Sequence, residues 1–198
     1  MKKLFLYIVL PALVLITYIA WPSNEIIHPS GVLVETEPYQ KKIKSDSTWK
    51  VDDYTLRSLA DFKIEARVLS KEGYSLDRES DLSPYDLALG WGPMSDQAVI
   101  DQMDIWQRNR WYYWETRKYP IPRLEIQKNS ANMHIIPAND EIEDKLDKIV
   151  KGNIIEIEGS LVEVDADDGW HWKSSLSRED TGGGACEVVW AEKIDILK

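Results

Sequence analysis

Three histidines, one cysteine and a scatter of acids are the residues of this chain best suited to catalysis or metal binding. Zinc would need three or four converging ligands. No two of His28, His134 and His171 stand at a ligand spacing, so no metal is expected. The acidic pairs Asp167–Asp168 and Glu179–Asp180 lack the spaced calcium loop with its terminal Glu. Cys186 would be a nucleophile if it met His134 or His171. Its alternation with Val188 and Trp190 instead places it on an apolar strand face, where cysteine acts as a small hydrophobe. Ser130, His134 and an Asp make a triad on paper, but no nucleophile-elbow motif accompanies them. Residues 174–182 are dense in polar groups, and Arg178 and Asp180 either pin that loop by an ion pair or line a site. No catalytic residue and no cofactor is assigned.

A second chemistry is recognition. Residues 105–128 hold six bases against two acids, together with Trp106, Trp111, Tyr112, Tyr113, Trp114 and Tyr119. Cationic side chains beside aromatic faces suit stacking on bases, or on sugars with anionic substituents. The competing reading is a strand that packs Trp111 and Tyr113 inward, with its arginines paired to carboxylates. Nucleic acid is disfavoured. The net charge is −10, and residues 151–198 carry five bases against eleven acids, whereas affinity for phosphate chains comes mainly from Lys and Arg.

The elements that must position these groups follow from periodicity. The chain has 198 residues, enough for one domain with a proper core. A lone cysteine excludes an intrachain disulfide. Phe62, Ile64, Ala66 and Val68 alternate with charged residues, which predicts a half-buried strand paired with 49–56. Ser83-Pro84-Tyr85-Asp86 has the form of a helix start ending near Gly90. Ser95 is expected to cap a second helix with Val99, Met103 and Trp106 on one stripe. Strands are expected at 111–116 and 132–136. Asn139 caps a helix whose acids come early and lysines late, as the helix dipole favours. Residues 153–198 read as β-structure. There Ile155 and Ile157 differ in parity from Val162 and Val164, so a bulge or sharp coil near Gly159 is expected to restore one buried face.

Residues 4–21 carry no charge and follow Lys2 and Lys3. As a helix they would rise ~27 Å, close to the ~30 Å hydrocarbon core. Tyr18 at the −3 position argues against signal-peptidase cleavage after Ala20, so an uncleaved signal anchor is favoured. Lys2 and Lys3 keep the N-terminus in the cytoplasm, which places the remainder in the periplasm. The division is a transmembrane anchor at 1–21, a linker at 22–47 and an extracytoplasmic domain at 48–198. The fold class is α+β: a small OB-like antiparallel β-barrel, mainly from 132–198, with two or three short helices.

The strings DLSPYDLALGWGPMSD (81–96), NSANMHIIPAN (129–139), GSLVEV (159–164) and SSLSREDTGGGACEVVW (174–190) resemble an uncharacterised family of membrane-anchored bacterial envelope proteins. The resemblance spans roughly residues 60–196 and implies an envelope location but no activity. If those strings surround one cleft, Trp91, Asp96, Asn132, His134, Arg178 and Asp180 form its wall, and Trp111 and Trp114 join them from the aromatic patch. The expected role is a non-enzymatic binding domain for an envelope protein or glycan, with the membrane as its one assigned partner. The alternative is a periplasmic hydrolase or thiol enzyme using His134 with Cys186 or a serine.

Overall fold

One strand of twenty residues, β3 (Tyr54–Gly73), organises the chain. The computed structural model describes residues 24–42, 47–177 and 186–198. A strand this long coils, so it meets different neighbours along its length. One edge pairs in turn with β2 (Thr48–Val51), β1 (Tyr39–Lys42) and β4 (Tyr85–Gly90), all antiparallel. The other edge pairs with β8 (Ile154–Ala166). β4 continues to β7 (Ser130–Pro137), which pairs in parallel with β10 (Glu187–Ile196). β10 then pairs antiparallel with β8, and β9 (His171–Lys173) adds to the end of β8. The ladder β3–β4–β7–β10–β8 therefore returns to β3. A separate two-stranded ribbon joins β5 (Asp104–Arg108) to β6 (Trp111–Glu115). Among the described residues the chain is mixed α+β, mostly strand, with three short helices: α1 (Gln97–Ile100), α2 (Arg123–Lys128) and α3 (Asp140–Lys148).

The alternation at 62–68 appears as expected: Phe62, Ile64, Ala66 and Val68 enter the main core with Leu87, Leu89, Met133, Ile135, Ile155 and Ile157. Asn139 caps α3 through its side chain, which accepts from the Ile142 amide. Two helix expectations are overturned. The residues after Ser83-Pro84 form β4, because both edges of Tyr85–Gly90 find ladder partners and Leu87 and Leu89 are fully buried. Tertiary pairing outweighs a local cap signal. Asp96, not Ser95, caps α1, which stops at Ile100. Trp106 lies on β5 instead of a helix stripe.

The parity change in β8 has a different cause from the one expected. Ile155, Ile157 and Leu161 face the main core, while Val162 and Val164 face a second cluster with Tyr54, Leu56, Ile136, Val188 and Trp190. Both faces of the strand are thus covered at that end. The irregularities lie on the partner strands: the one between Ala191 and Lys193 stands opposite Gly159 and Glu158, near the expected position, and the other lies between Ser58 and Ala60. Gly159 sits where β10 crosses closely, and a Cβ there would collide with the Trp190 carbonyl.

Residues 24–34 run along this body. The Ile26 amide donates to Lys151 O at 2.9 Å, and Val34 is buried in the main core. The segment 1–21 expected as an anchor lies outside the described residues. Among those described, no helix is long and apolar enough to cross a membrane.

Candidate functional site

β4 and β7 present a polar face opposite the main core. Leu87, Met133 and Ile135 point into that core, so their neighbours Asp86, Asn132 and His134 point away from it. Asp86 and His134 are register partners. This polar face is covered by the β5–β6 ribbon.

The ribbon turns through two residues, Asn109 (φ 53°) and Arg110 (φ 66°), between the paired Arg108 and Trp111. Two left-handed residues are the signature of a type I′ hairpin, where the second position favours glycine. An arginine there bears backbone strain, held by its side chain. The Arg110 guanidinium reaches Asp86 Oδ1 at 2.7 Å and Ser83 O at 3.0 Å. It also grips Asp77 through Nε at 2.9 Å and Nη2 at 2.7 Å, and it lies 3.8 Å from the Tyr74 ring centroid. The Asp86 side chain is wholly buried and that of Arg110 nearly so. Burial works against the charge on Arg110, yet the hydrogen bonds it donates to Asp77 and the nearby Asp86 carboxylate hold its pKa above the ordinary value. In return Arg110 holds the Asp77 carboxyl below its usual range. Burial drives the phenol of Tyr112, on the ribbon's inner face, up to about 12.

Asn132 ties the remaining elements together. Its amide donates to Arg110 O at 3.1 Å and accepts from Gln107 at 2.7 Å. The same nitrogen lies 4.0 Å from Cys186 Sγ. His134 is 4 % exposed. Its Nδ1 approaches Asp86 Oδ1 to 2.9 Å, without hydrogen-bond alignment. Its ring packs 4.9 Å from that of Trp172.

Above this network opens a cleft of about 360 Å³, lined by Arg110, Trp111, His134, His171, Trp172, Lys173 and Cys186. Its ionisable walls are basic apart from the thiol. The carboxylates that balance them stand behind the walls: Glu163 lies 3.2 Å from Lys173, and Asp165 lies 2.8 Å from His171 Nδ1. A second hollow, about 390 Å³, lies further along β6 among Tyr113, Trp114, Tyr119 and Arg123. Among the described residues no group of three or more His, Cys, Asp or Glu is placed to hold a metal ion.

The structure brings three of the expected residues to the cleft wall: Trp111, His134 and, from the alternative reading, Cys186. Asn132 lies in the network behind it. Trp91 is 1 % exposed within the main core. Asp96 caps α1 and accepts from the Gly31 amide at 2.8 Å. Trp114 lines the second hollow. Arg178 and Asp180 lie outside the described residues. Two local readings are corrected. Cys186 is half-buried at the cleft and not in the core, because it precedes the first ladder pair of β10, Glu187 with Met133. Trp111 and Tyr113 face outward, since Tyr112 and Trp114 take the inner face of β6.

Sequence reasoning missed Asp77, Asp86, Arg110, Gln107 and Trp172 as site groups. Asp86 was absorbed into an expected helix cap. Asn109 between two aromatic segments is a hairpin signal that would have placed Arg110 at a turn tip. No known protein family, no characterised protein and no solved structure matches the chain.

Proposed function

We propose that this chain is a single-pass bacterial envelope protein whose extracytoplasmic domain binds an envelope partner, protein or glycan, through the cleft over Asp86 and Arg110. The domain is an OB-like barrel made of β3, β4, β7, β8 and β10. The returning ladder supports this, as do the parallel β7–β10 pair and the placement of α3 between β7 and β8. The parallel pair makes the barrel mixed and not wholly antiparallel. The observation that carries the functional reading is the cleft itself. Aromatic and basic side chains line it, and a buried ion-pair network fixes its floor. A concave site with a few fixed polar groups is the usual form of a ligand pocket. The uncharged, Lys-flanked segment 4–21 supports the membrane tether.

The test is in-cell photocrosslinking in envelope membranes, with the probe placed at Lys173 in the cleft or at Lys193, which lies on β10 outside the cleft lining. An adduct specific to position 173 is expected, and no adduct above the Lys193 level overturns the reading. A periplasm-active reporter fused after Lys198 checks the topology; activity is expected.

A second reading, a thiol enzyme, is favoured by one observation: Cys186 and His134 line the same cleft, with Asp86 beside the imidazole. Alkylation of Cys186 in the folded protein at a rate well above that of a free thiol, lost in His134→Ala, would support it. An ordinary rate in both proteins removes it.

A further inference from the structure

The outward face of the β5–β6 ribbon is an aromatic strip that opens into the cleft. Its three cross-strand pairs are Asp104 with Glu115, Trp106 with Tyr113, and Arg108 with Trp111. All six residues are exposed. Trp106 and Tyr113 stack on one another with centroids 5.6 Å apart and planes 11° apart, so each ring covers one face of the other and keeps its outer face and edges open to solvent. Trp111 is at once the end of this strip and a wall of the basic cleft. At the other end Glu115, with Tyr113 next to it on the strip, borders the second hollow.

We infer that this strip binds a short acidic glycan, its sugar faces stacked on Trp106, Tyr113 and Trp111 and a carboxylate entering the cleft beside Lys173. The inference rests on the reading of the cleft as a binding site. Size selects the occupant. Three pairs on two strands cover about 14 Å by 10 Å, or about 140 Å². A protein partner needs about 800 Å² on each side. The strip instead suits a narrow ligand with an apolar face and a polar edge. Such a ligand stacks on the rings while its hydroxyls meet Asp104, Glu115 and Arg108 at the rim. Charge narrows the choice further. A net charge of −10 repels a dense polyanion, which excludes nucleic acid and leaves chains with sparse acid groups. In the cleft, Glu163 already pairs with Arg57 at 3.3 Å as well as with Lys173. The half-exposed Lys173 ammonium can therefore turn to a ligand carboxylate at little cost.

The test uses the full chain in phosphatidylcholine nanodiscs, titrated with hyaluronan tetrasaccharide and with neutral chitotetraose and followed by calorimetry and tryptophan fluorescence. The acidic sugar is expected to bind at least tenfold more tightly than the neutral one. Trp106→Ala and Tyr113→Ala should each weaken both sugars at least fivefold without changing the melting temperature. Lys173→Gln should erase the acidic preference while leaving chitotetraose binding intact. Equal binding of the two sugars, or binding unaffected by Trp106→Ala and Tyr113→Ala, overturns the inference. If neither sugar binds but the probe at Lys173 captures a protein in cells, the glycan falls and the binding site stands. If neither sugar binds and nothing is captured, both fall.

Discussion

Two clusters of ion pairs in this protein use the same kinds of residue in opposite surroundings. Beneath the cleft, Arg110 links Asp77 and Asp86, with both Arg110–Asp contacts at 2.7 Å and the Asp86 side chain fully buried. On the outer surface of β3, β8 and β10, Lys63 and Lys193 bridge Glu156 and Glu158 at 2.8–3.1 Å, with both lysines about half exposed. The distances are alike, but the solvent is not. Exposed pairs are screened and entropically costly to hold, so they add little to stability. In the buried cluster Asp86 depends on its partner, because no water reaches it to replace a lost one, whereas Asp77 at the margin is about one-third exposed. Shared geometry therefore says less about a pair's importance than the burial of its members. The buried cluster also fixes Arg110 in a left-handed turn, and with it the ribbon that forms one wall of the cleft.

The largest break in this comparison is expected at Asp86. Asp86→Ala leaves Arg110 without its buried partner and should destabilise the protein by about 3–5 kcal/mol in urea unfolding. Arg110→Ala should cost about 3 kcal/mol, since it leaves the Asp86 carboxylate without its guanidinium partner. Arg110→Gly should be milder than Arg110→Ala by about 1 kcal/mol, because glycine adopts the positive φ without strain. The same unfolding curves check that difference.

A subtler effect is expected with pH. Arg110 depresses the Asp77 carboxyl in the folded state, so its stabilising contribution is present above the unfolded value of about 3.9. That contribution is lost as pH falls through the lower folded value. The stability gap between the wild type and Asp77→Asn should thus shrink on acidification below about pH 4, measured from urea midpoints across pH. The smallest effect belongs to the exposed set: Lys63→Ala should leave the urea midpoint nearly unchanged, and the small difference should vanish in high salt. A larger loss there would erase the distinction between the two clusters.

Much of the framework is legible in the sequence because it depends on short-range patterns. The alternation at 62–68 predicts its strand, and Asn139 with its ordered charges predicts α3. Those signals are carried by neighbours a few residues apart. The failures have a common origin. Ser83-Pro84 carries a valid local cap signal, but the ladders on both sides of Tyr85–Gly90 override it. The parity change in β8 predicts a bulge that keeps one face buried, while the fold covers both faces. The site suffers most. Asp77 with Asp86, Arg110, and Asn132 with His134 come from three separate stretches of the chain, and no spacing rule joins those stretches.

The sequence by itself determined the charge balance, the uncharged segment 4–21, the main strand pattern and the concentration of aromatics and bases at 105–128. Only the tertiary structure decided which of those groups meet. It buried Trp91, set Trp111 and Tyr113 outward and brought His134 beside Asp86, because side-chain direction on a strand depends on register and on what covers each face. Register is a property of paired strands, and here the pairing joins segments up to about a hundred residues apart, as between Ile64 and Ile157.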